Sequence, residues 1–440
     1  MLNDLRLNHF YTHALFVMYL LLALTGCDRQ EKGVSKQAIL SELDVWVHTG
    51  NKEVLVLRKN QVARFNARHS RIKVTLISIP RGTYGAQMNA ATRTGTLPDI
   101  VELDGPSLAS FADRDILMKL DKILTTTTRQ DILPAVFEQG VFRGRVYSVA
   151  DISNSSVLYA RRSLLKSIGY RIPASSSEAW SLSEFETLLG LIQKHADYST
   201  GADLGLNNQD ESLAATLYPM LLSAGGAMID EQVPYQIDGV LNSPRNAAFL
   251  TRVQRWVEQG YIDKNSDHKA FSDGRVALAW AGLDKRSSYK AQFGDDLIVV
   301  PLPDFGFGSQ YVQKAWGWGL TRNCEDSQAA MRFLEFLLLP EEVLLAAQAS
   351  GGLPGTYSAL ASYVAVSDSS LISSLVNAHQ RGEVSSQLKS PLYPAIENVF
   401  QKAFVRIRNG APVIPSLEMA ISAIDQQRKK FEPDLAEINH

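Results

Sequence analysis

Residues 71–80 read RIKVTLISIP and residues 97–105 read LPDIVELDG. The first is a β-rich run from Arg71 to Ile79 that stops at Pro80. The second is a short strand, Asp99 to Leu103, entered through Pro98. Between them Tyr84 to Thr94 is Ala-rich and helical in pattern. Upstream, Leu43 to Val47 alternates as a strand and is broken by Thr49-Gly50-Asn51. Val54, Leu57, Val62 and Phe65 then recur at helical spacing. Strand, helix, strand, helix, strand within about sixty residues predicts an α/β unit with a largely parallel sheet.

The alternation runs on. Helical patterns cover Leu182–Lys194, Leu213–Ser223, Ser243–Glu258, Asp326–Leu338 and Pro415–Phe431. Val276–Trp280 and Leu297–Val300 read as buried strands. Pro340 stops the Asp326–Leu338 pattern. Trp180 and Trp256 fit helix packing.

At the N-terminus the run Ala14 to Leu24 is wholly apolar. Eleven residues are too few to span a bilayer and suit a signal-peptide core. Leu24-Thr25-Gly26-Cys27 follows and resembles the bacterial lipobox, in which the cysteine thiol is acylated and the chain is cut before it. The expected leader is 1–26, with a lipidated tether over 27–40. Asp28 resembles the inner-membrane retention rule of enteric-type bacteria. The expected location is therefore the periplasmic face of the inner membrane, lipid-anchored.

Lys+Arg 44 against Asp+Glu 46 leaves a net charge of −2, which argues against a polybasic nucleic-acid binder. With two cysteines, a disulfide-stapled scaffold and a four-cysteine zinc site are both excluded. Cys324 reads as an incidental thiol. No G-x-x-x-x-G-K-[ST], H-E-x-x-H, G-x-S-x-G or C-x-x-C occurs, and the histidines lack metal-ligand spacing. No cofactor, metal or catalytic residue is expected.

Several segments, in order, resemble one family. They are Val45-Trp46-Val47-His48; Arg64-Phe65-Asn66-Ala67-Arg68-His69; Leu97 to Gly105; Gly144 to Val149 with Val157-Leu158-Tyr159; and Trp180-Ser181-Leu182-Ser183-Glu184-Phe185. Further along come Tyr218-Pro219-Met220-Leu221 with Gly225-Gly226, Val300 to Pro303, Trp316-Gly317-Trp318-Gly319 and Gly351-Gly352-Leu353-Pro354. Together they resemble the sugar-type extracellular solute-binding proteins of bacterial ABC importers, the maltose-binding-protein-like group. Three places depart from that pattern: Ala150, Ala160-Arg161, and Asp284-Lys285-Arg286, where family members often carry an aromatic.

The resemblance implies a type II periplasmic-binding-protein-like fold, with two α/β lobes joined by crossing hinge strands. The implied lobes are 41–149 plus 304–355, and 150–303 plus 356–435, with the ligand in the cleft between them. The implied function is to bind a sugar or oligosaccharide and deliver it to membrane permease subunits, as a monomer and without catalysis. Three alternatives remain open. One is a receptor for an anionic ligand, an acidic sugar or glycerol phosphoester, favoured by Arg81 and Arg286. Another is a glycan-cleaving lipoprotein using Asp104 and Asp151. The third is a sensor that docks on a transmembrane kinase or chemoreceptor.

Open α/β sheets present ligands beyond the carboxyl ends of their strands. The residues expected at such positions to bind ligand are Trp46, Asn51, Asp104, Asp151, Asn154, Trp280, Asp284, Arg286, Trp316 and Trp318; Tyr84 and Tyr218 complete the expected set. Carboxylates and amides bind paired hydroxyls, and rings stack on the C–H faces of a pyranose. Asp104, ahead of Gly-Pro, also suits a helix cap.

Overall fold

The computed structural model describes residues 41–195, 197–206, 213–230, 236–263, 269–366, 375, 378 and 384–436. The leader, Cys27 and the tether lie outside the described residues.

The first α/β unit forms as its pattern predicts. Strand β1, Ser41–His48, pairs in parallel with β2, Ile72–Ile79, along its whole length, and with β3, Ile100–Asp104, at Val45 and Trp46. The helices Lys52–Arg68 and Arg81–Thr94 connect them. Asn51 caps the first, its side chain accepting the Val54 amide at 3.0 Å. A hairpin, β4 Val141–Phe142 with β5 Arg145–Val146, leads into β6, Ser148–Arg161. β6 runs unbroken for 14 residues, so Val149 and Val157-Leu158-Tyr159 lie on one strand.

Further along lie β7 Thr200–Asp203, β8 Val276–Gly282, β9 Leu297–Val300 and β10 Tyr311–Leu320. The short β11 Leu353–Pro354 and β12 Val384–Ser386 complete the set. The sheet runs β2-β1-β3-β10-β6-β8-β7. β6 and β10 tie its halves together. β10 pairs antiparallel with β3 from Trp316 to Leu320 and with β6 from Gln313 to Gly319, while its first residues pair with β12. The second half of β6 turns to β8 and β9.

Core membership follows these crossings. Val149, Ala150, Ala315, Trp318 and Leu320 are buried with Leu43, Val45 and Phe65 in one core. Val157 to Ala160, Tyr311 and Val312 are buried with Trp180, Trp256 and Trp280 in another. A third, smaller core joins Ile79, Tyr84, Val101 and Leu103, with Trp46 packed against it. The molecule thus has the two-lobe α/β architecture, and each crossing strand contributes one end to each lobe.

Close backbone approach shapes the hinge. β11 lies against β6, pairing Leu353 with Ser153 and Pro354 with Ile152. A Cβ on Gly352 would sit 2.5 Å from the Ser153 carbonyl oxygen, and one on Gly355 would sit 2.9 Å from that of Ala150. Glycine at 352 and 355 is therefore a steric requirement of this contact. Between Trp316 and Trp318 the β6–β10 register shifts. Such a bulge re-aims the extra residue's side chain; here Asp151 turns into the hinge interior.

Candidate functional site

A cleft of about 2110 Å³ opens at the carboxyl ends of the parallel strands. Its first-lobe wall takes His48 from the end of β1, Glu102 and Asp104 from β3, and Arg81 and Tyr84 from the Arg81–Thr94 helix. Lys314 and Trp316 of β10 and Ser153 to Ser155 of β6 line it where the strands cross. Gly282, Asp284 and Lys285, after β8, and the Tyr393–Arg408 helix supply the second lobe.

Trp316 is the aromatic centre. The His48 ring stacks on it, with centroids 3.7 Å apart and planes 19° apart. The Arg81 guanidinium lies 5.7 Å from its centroid. His48 is fixed in turn by buried Glu102, whose Oε2 lies 2.7 Å from Nδ1 and accepts the His48 backbone N–H at 3.2 Å. Burial alone would raise the Glu102 carboxyl, but His48 and then Arg58 outweigh it and hold it below the ordinary carboxylate range. Burial raises the neighbouring Asp104 carboxyl, although Ser107, Arg81 and His48 all pull it down. Asp104 both lines the cleft and caps the Gly105–Asp113 helix, accepting the Ser107 amide at 3.3 Å.

On the second-lobe side Asn154 donates to Asp284 Oδ1 at 2.9 Å and accepts the Leu283 amide at 3.0 Å. Asp284 also pairs with Lys285 at 3.4 Å. Asn51, Tyr84, Asp104, Asn154, Asp284 and Trp316 are thus the expected residues that the fold brings to one cleft. Tyr84 borders the cleft as a buried member of the third core, and its hydroxyl donates to the Trp46 carbonyl at 3.2 Å.

The other expected residues lie elsewhere. Trp46 and Trp280 each sit one pleat before the cleft, where His48 and Gly282 take the lining places. Trp46 packs on the Ile79 core and Trp280 is fully buried. Trp318 is one pleat deeper on antiparallel β10, buried beneath Arg58, whose guanidinium is 4.9 Å from its ring. Asp151 is fully buried, gripped by Arg58 and accepting a 3.3 Å hydrogen bond from Trp318 Nε1. It cannot act with Asp104 as a pair of catalytic carboxylates on a ligand in the cleft. Tyr218 is interior to the second core. Arg286 begins its own helix, and Lys285 takes the lining position beside it.

Sequence reasoning missed His48, Glu102, Lys314 and the Tyr393–Arg408 helix. His48 was findable, since the strand-end rule that selected Trp46 applies better to the last residue of β1. Cys324 is buried, and burial, reinforced by Asp99 and Asp326, pushes its thiol up to about 12, which leaves it inert. Among the described residues no cluster of His, Cys, Asp or Glu could hold a metal, and no helix is long and apolar enough to cross a membrane.

Two α/β lobes joined by crossing strands over a polar cleft define a solute receptor. The chain belongs to the bacterial extracellular solute-binding proteins; that family's model matches residues 60–371. An uncharacterized lipoprotein in the oleD 5' region of Streptomyces antibioticus is 24% identical over 356 residues, covering 78% of this chain and 75% of the relative. The fold matches the GacH receptor of Streptomyces glaucescens, solved unliganded and with acarbose, at a TM-score of 0.72 with 18% identity over 89% of this chain and 98% of that one. It also matches the cyclic alpha-maltosyl-1,6-maltose binding protein of Arthrobacter globiformis, at a TM-score of 0.71 with 20% identity over 88% and 98%.

Proposed function

We propose that this solute-binding protein is the carbohydrate receptor of an ABC importer, tethered to the outer face of the inner membrane through lipid on Cys27. It takes up a sugar or oligosaccharide between lobes 41–149 plus 304–355 and 150–303 plus 356–435. The lobes close about β6 and β10, and the closed monomer docks on its permease subunits, which deliver the unchanged ligand inward. The observation that carries this reading is the cleft itself, which Trp316 lines together with carboxylates and amides from both lobes, groups suited to hydroxyls. Its size, well above the roughly 300–1,000 Å³ of small-ligand pockets, suits more than one sugar ring. The solved relatives named with acarbose and with a maltosyl-maltose support the same ligand class.

Thermal-shift screening of the purified protein against oligosaccharides tests the reading, followed by mass spectrometry of the recovered ligand. Stabilisation with the sugar returned intact is expected; steady turnover would replace receptor with enzyme. Cys27→Ala should leave the chain unprocessed or soluble, and normal membrane fractionation of that variant would remove the anchor from the proposal.

A further inference from the structure

The charges lining the cleft are not balanced alike. Every lining carboxylate is already engaged by protein. Glu102 holds His48, Asp113 pairs with Arg143 at 2.7 Å, and Asp284 takes Asn154 and Lys285. Asp104 caps its helix, and Glu397 has a partner of its own. Among the lining cations, Arg81, Lys314 and Lys402 have neither a carboxylate within ion-pair distance nor a hydrogen bond among the described residues. The uncommitted charge of the cleft is positive.

These three cations stand on three sides. Arg81 opens the Arg81–Thr94 helix on the first lobe and lies over the Trp316 ring. Lys314 sits on crossing strand β10, opposite Asn154 and two residues before Trp316. Lys402 lies on the Tyr393–Arg408 helix of the second lobe. The Arg81–Thr94 helix has no side-chain cap and no acidic residue in its first turn, which adds to the positive field beside Arg81. Asp104 moderates Arg81 from a distance but spends a carboxylate oxygen on Ser107.

Closing the lobes strips water from these groups. A neutral sugar would offer these groups hydroxyl oxygens but no counter-charge, so their positive charge would stay uncompensated in a drying cleft. A ligand with its own negative charge would turn the same groups into charge-assisted hydrogen bonds. We propose that the ligand is an acidic carbohydrate, whose anionic group, a carboxylate or a phosphate ester, is taken by Arg81 and Lys314 while a sugar ring lies against Trp316. This rests on the carbohydrate-receptor reading above and narrows its substrate class.

The test uses a mixed oligosaccharide pool, from plant and bacterial polysaccharide hydrolysates, split by anion exchange into neutral and acidic fractions. Each fraction is offered to the purified full chain in thermal-shift and calorimetric assays. The acidic fraction should stabilise the protein, with binding that weakens as salt is added. Methyl esterification of that fraction should abolish binding if the group is a carboxylate, and phosphatase treatment should do so if it is a phosphate monoester. Arg81→Gln and Lys314→Gln should each weaken binding roughly tenfold or more and leave the melting temperature of the empty protein in place. Binding of the neutral fraction as tight as the acidic one, or full affinity in both variants, overturns this proposal and leaves the receptor reading standing. Stabilisation by neither fraction overturns both.

Discussion

Arg58 grips Asp151 with both ends of its guanidinium, Nη1 2.5 Å from Oδ2 and Nη2 3.1 Å from Oδ1, deep in the interior of the first lobe. The helix Lys52–Arg68 is thereby fastened to the crossing strand at its bulge, and Trp318 of the second crossing strand lies beneath Arg58 and donates its Nε1–H to Asp151. Arg58 Nη1 also donates to buried Gln61 at 3.0 Å. A paired, hydrogen-bonded ion pair at this place fixes the hinge geometry from which both lobes extend.

Removing one partner strands the other in the interior. Asp151→Ala should destabilise the ligand-free protein by about 3–5 kcal/mol. The double variant Arg58→Met, Asp151→Leu should recover most of that loss, because apolar side chains of similar size pack without desolvation cost. Urea midpoints of the empty protein measure both. An Asp151→Ala midpoint equal to wild type would mean the pair does not hold the hinge.

Glu102 and Asp104, two residues apart on β3, should respond to acid in opposite ways. Burial pushes the Glu102 carboxyl up, but His48 and Arg58 bring it below the ordinary 4.5. A carboxylate depressed in the fold contributes stability above its unfolded value and loses it as pH falls through the folded one. Glu102→Gln should therefore be less stable than wild type at neutral pH, by a margin that shrinks below about pH 4.5. Asp104 is raised by burial against the pull of Ser107, so its ionised form costs stability at neutral pH. Asp104→Asn, which keeps the cap, should be as stable as wild type or more so near neutrality, with any advantage gone in acid. Denaturant midpoints across this pH range would show both slopes, and parallel profiles for the two variants would contradict the assignment.

The α/β alternation was legible because strand and helix periods are written locally, as in the β1 and β2 runs and the helices between them. The cleft was only partly so. Strand-end logic locates the right edge of the sheet but not the right pleat, which is why Trp46 and Trp280 were expected where His48 and Gly282 stand. Trp318 follows Trp316 by two positions on β10. The lid over it is Arg58, which reaches it from 260 positions away in the chain, and no local pattern records that. Asp151 shares the same hidden partner. The Tyr393–Arg408 helix carries no motif, and only the tertiary fold brings it to the cleft.

The close approach at β11 predicts a contrast between two glycines. Gly355 donates its amide to the Asp151 carbonyl at 2.8 Å, and an added methyl would press within 2.9 Å of β6 backbone. Gly355→Ala should cost about 1–3 kcal/mol, as overpacking does. Gly85, inside the Arg81–Thr94 helix, has nothing within 4 Å of an added Cβ. Gly85→Ala should gain about 0.5–1 kcal/mol from helix propensity. Thermal unfolding of the empty protein compares them, and equal shifts would count against a tight hinge contact.

Trp316 and Trp318 should separate binding from stability. Trp316 is half-buried at the cleft, held by the His48 stack and open to a ligand. Trp316→Ala should lower affinity by roughly one to two orders of magnitude, since ring burial and stacking supply a few kcal/mol. The melting temperature of the empty protein should barely move, because the ring is no part of either lobe's interior. Trp318 is 1% exposed and packs under Arg58 with Leu320 and Val149 in the same core. Trp318→Ala opens a cavity there and should cost about 3–5 kcal/mol of stability. Any loss of affinity in that variant follows from a loosened hinge and should diminish at temperatures where the variant is fully folded. Calorimetry of the two variants beside their unfolding curves decides the matter. Were Trp316→Ala to lose stability and keep its affinity, the aromatic centre of the cleft would be structural, and the ligand would have to lie against the second lobe instead.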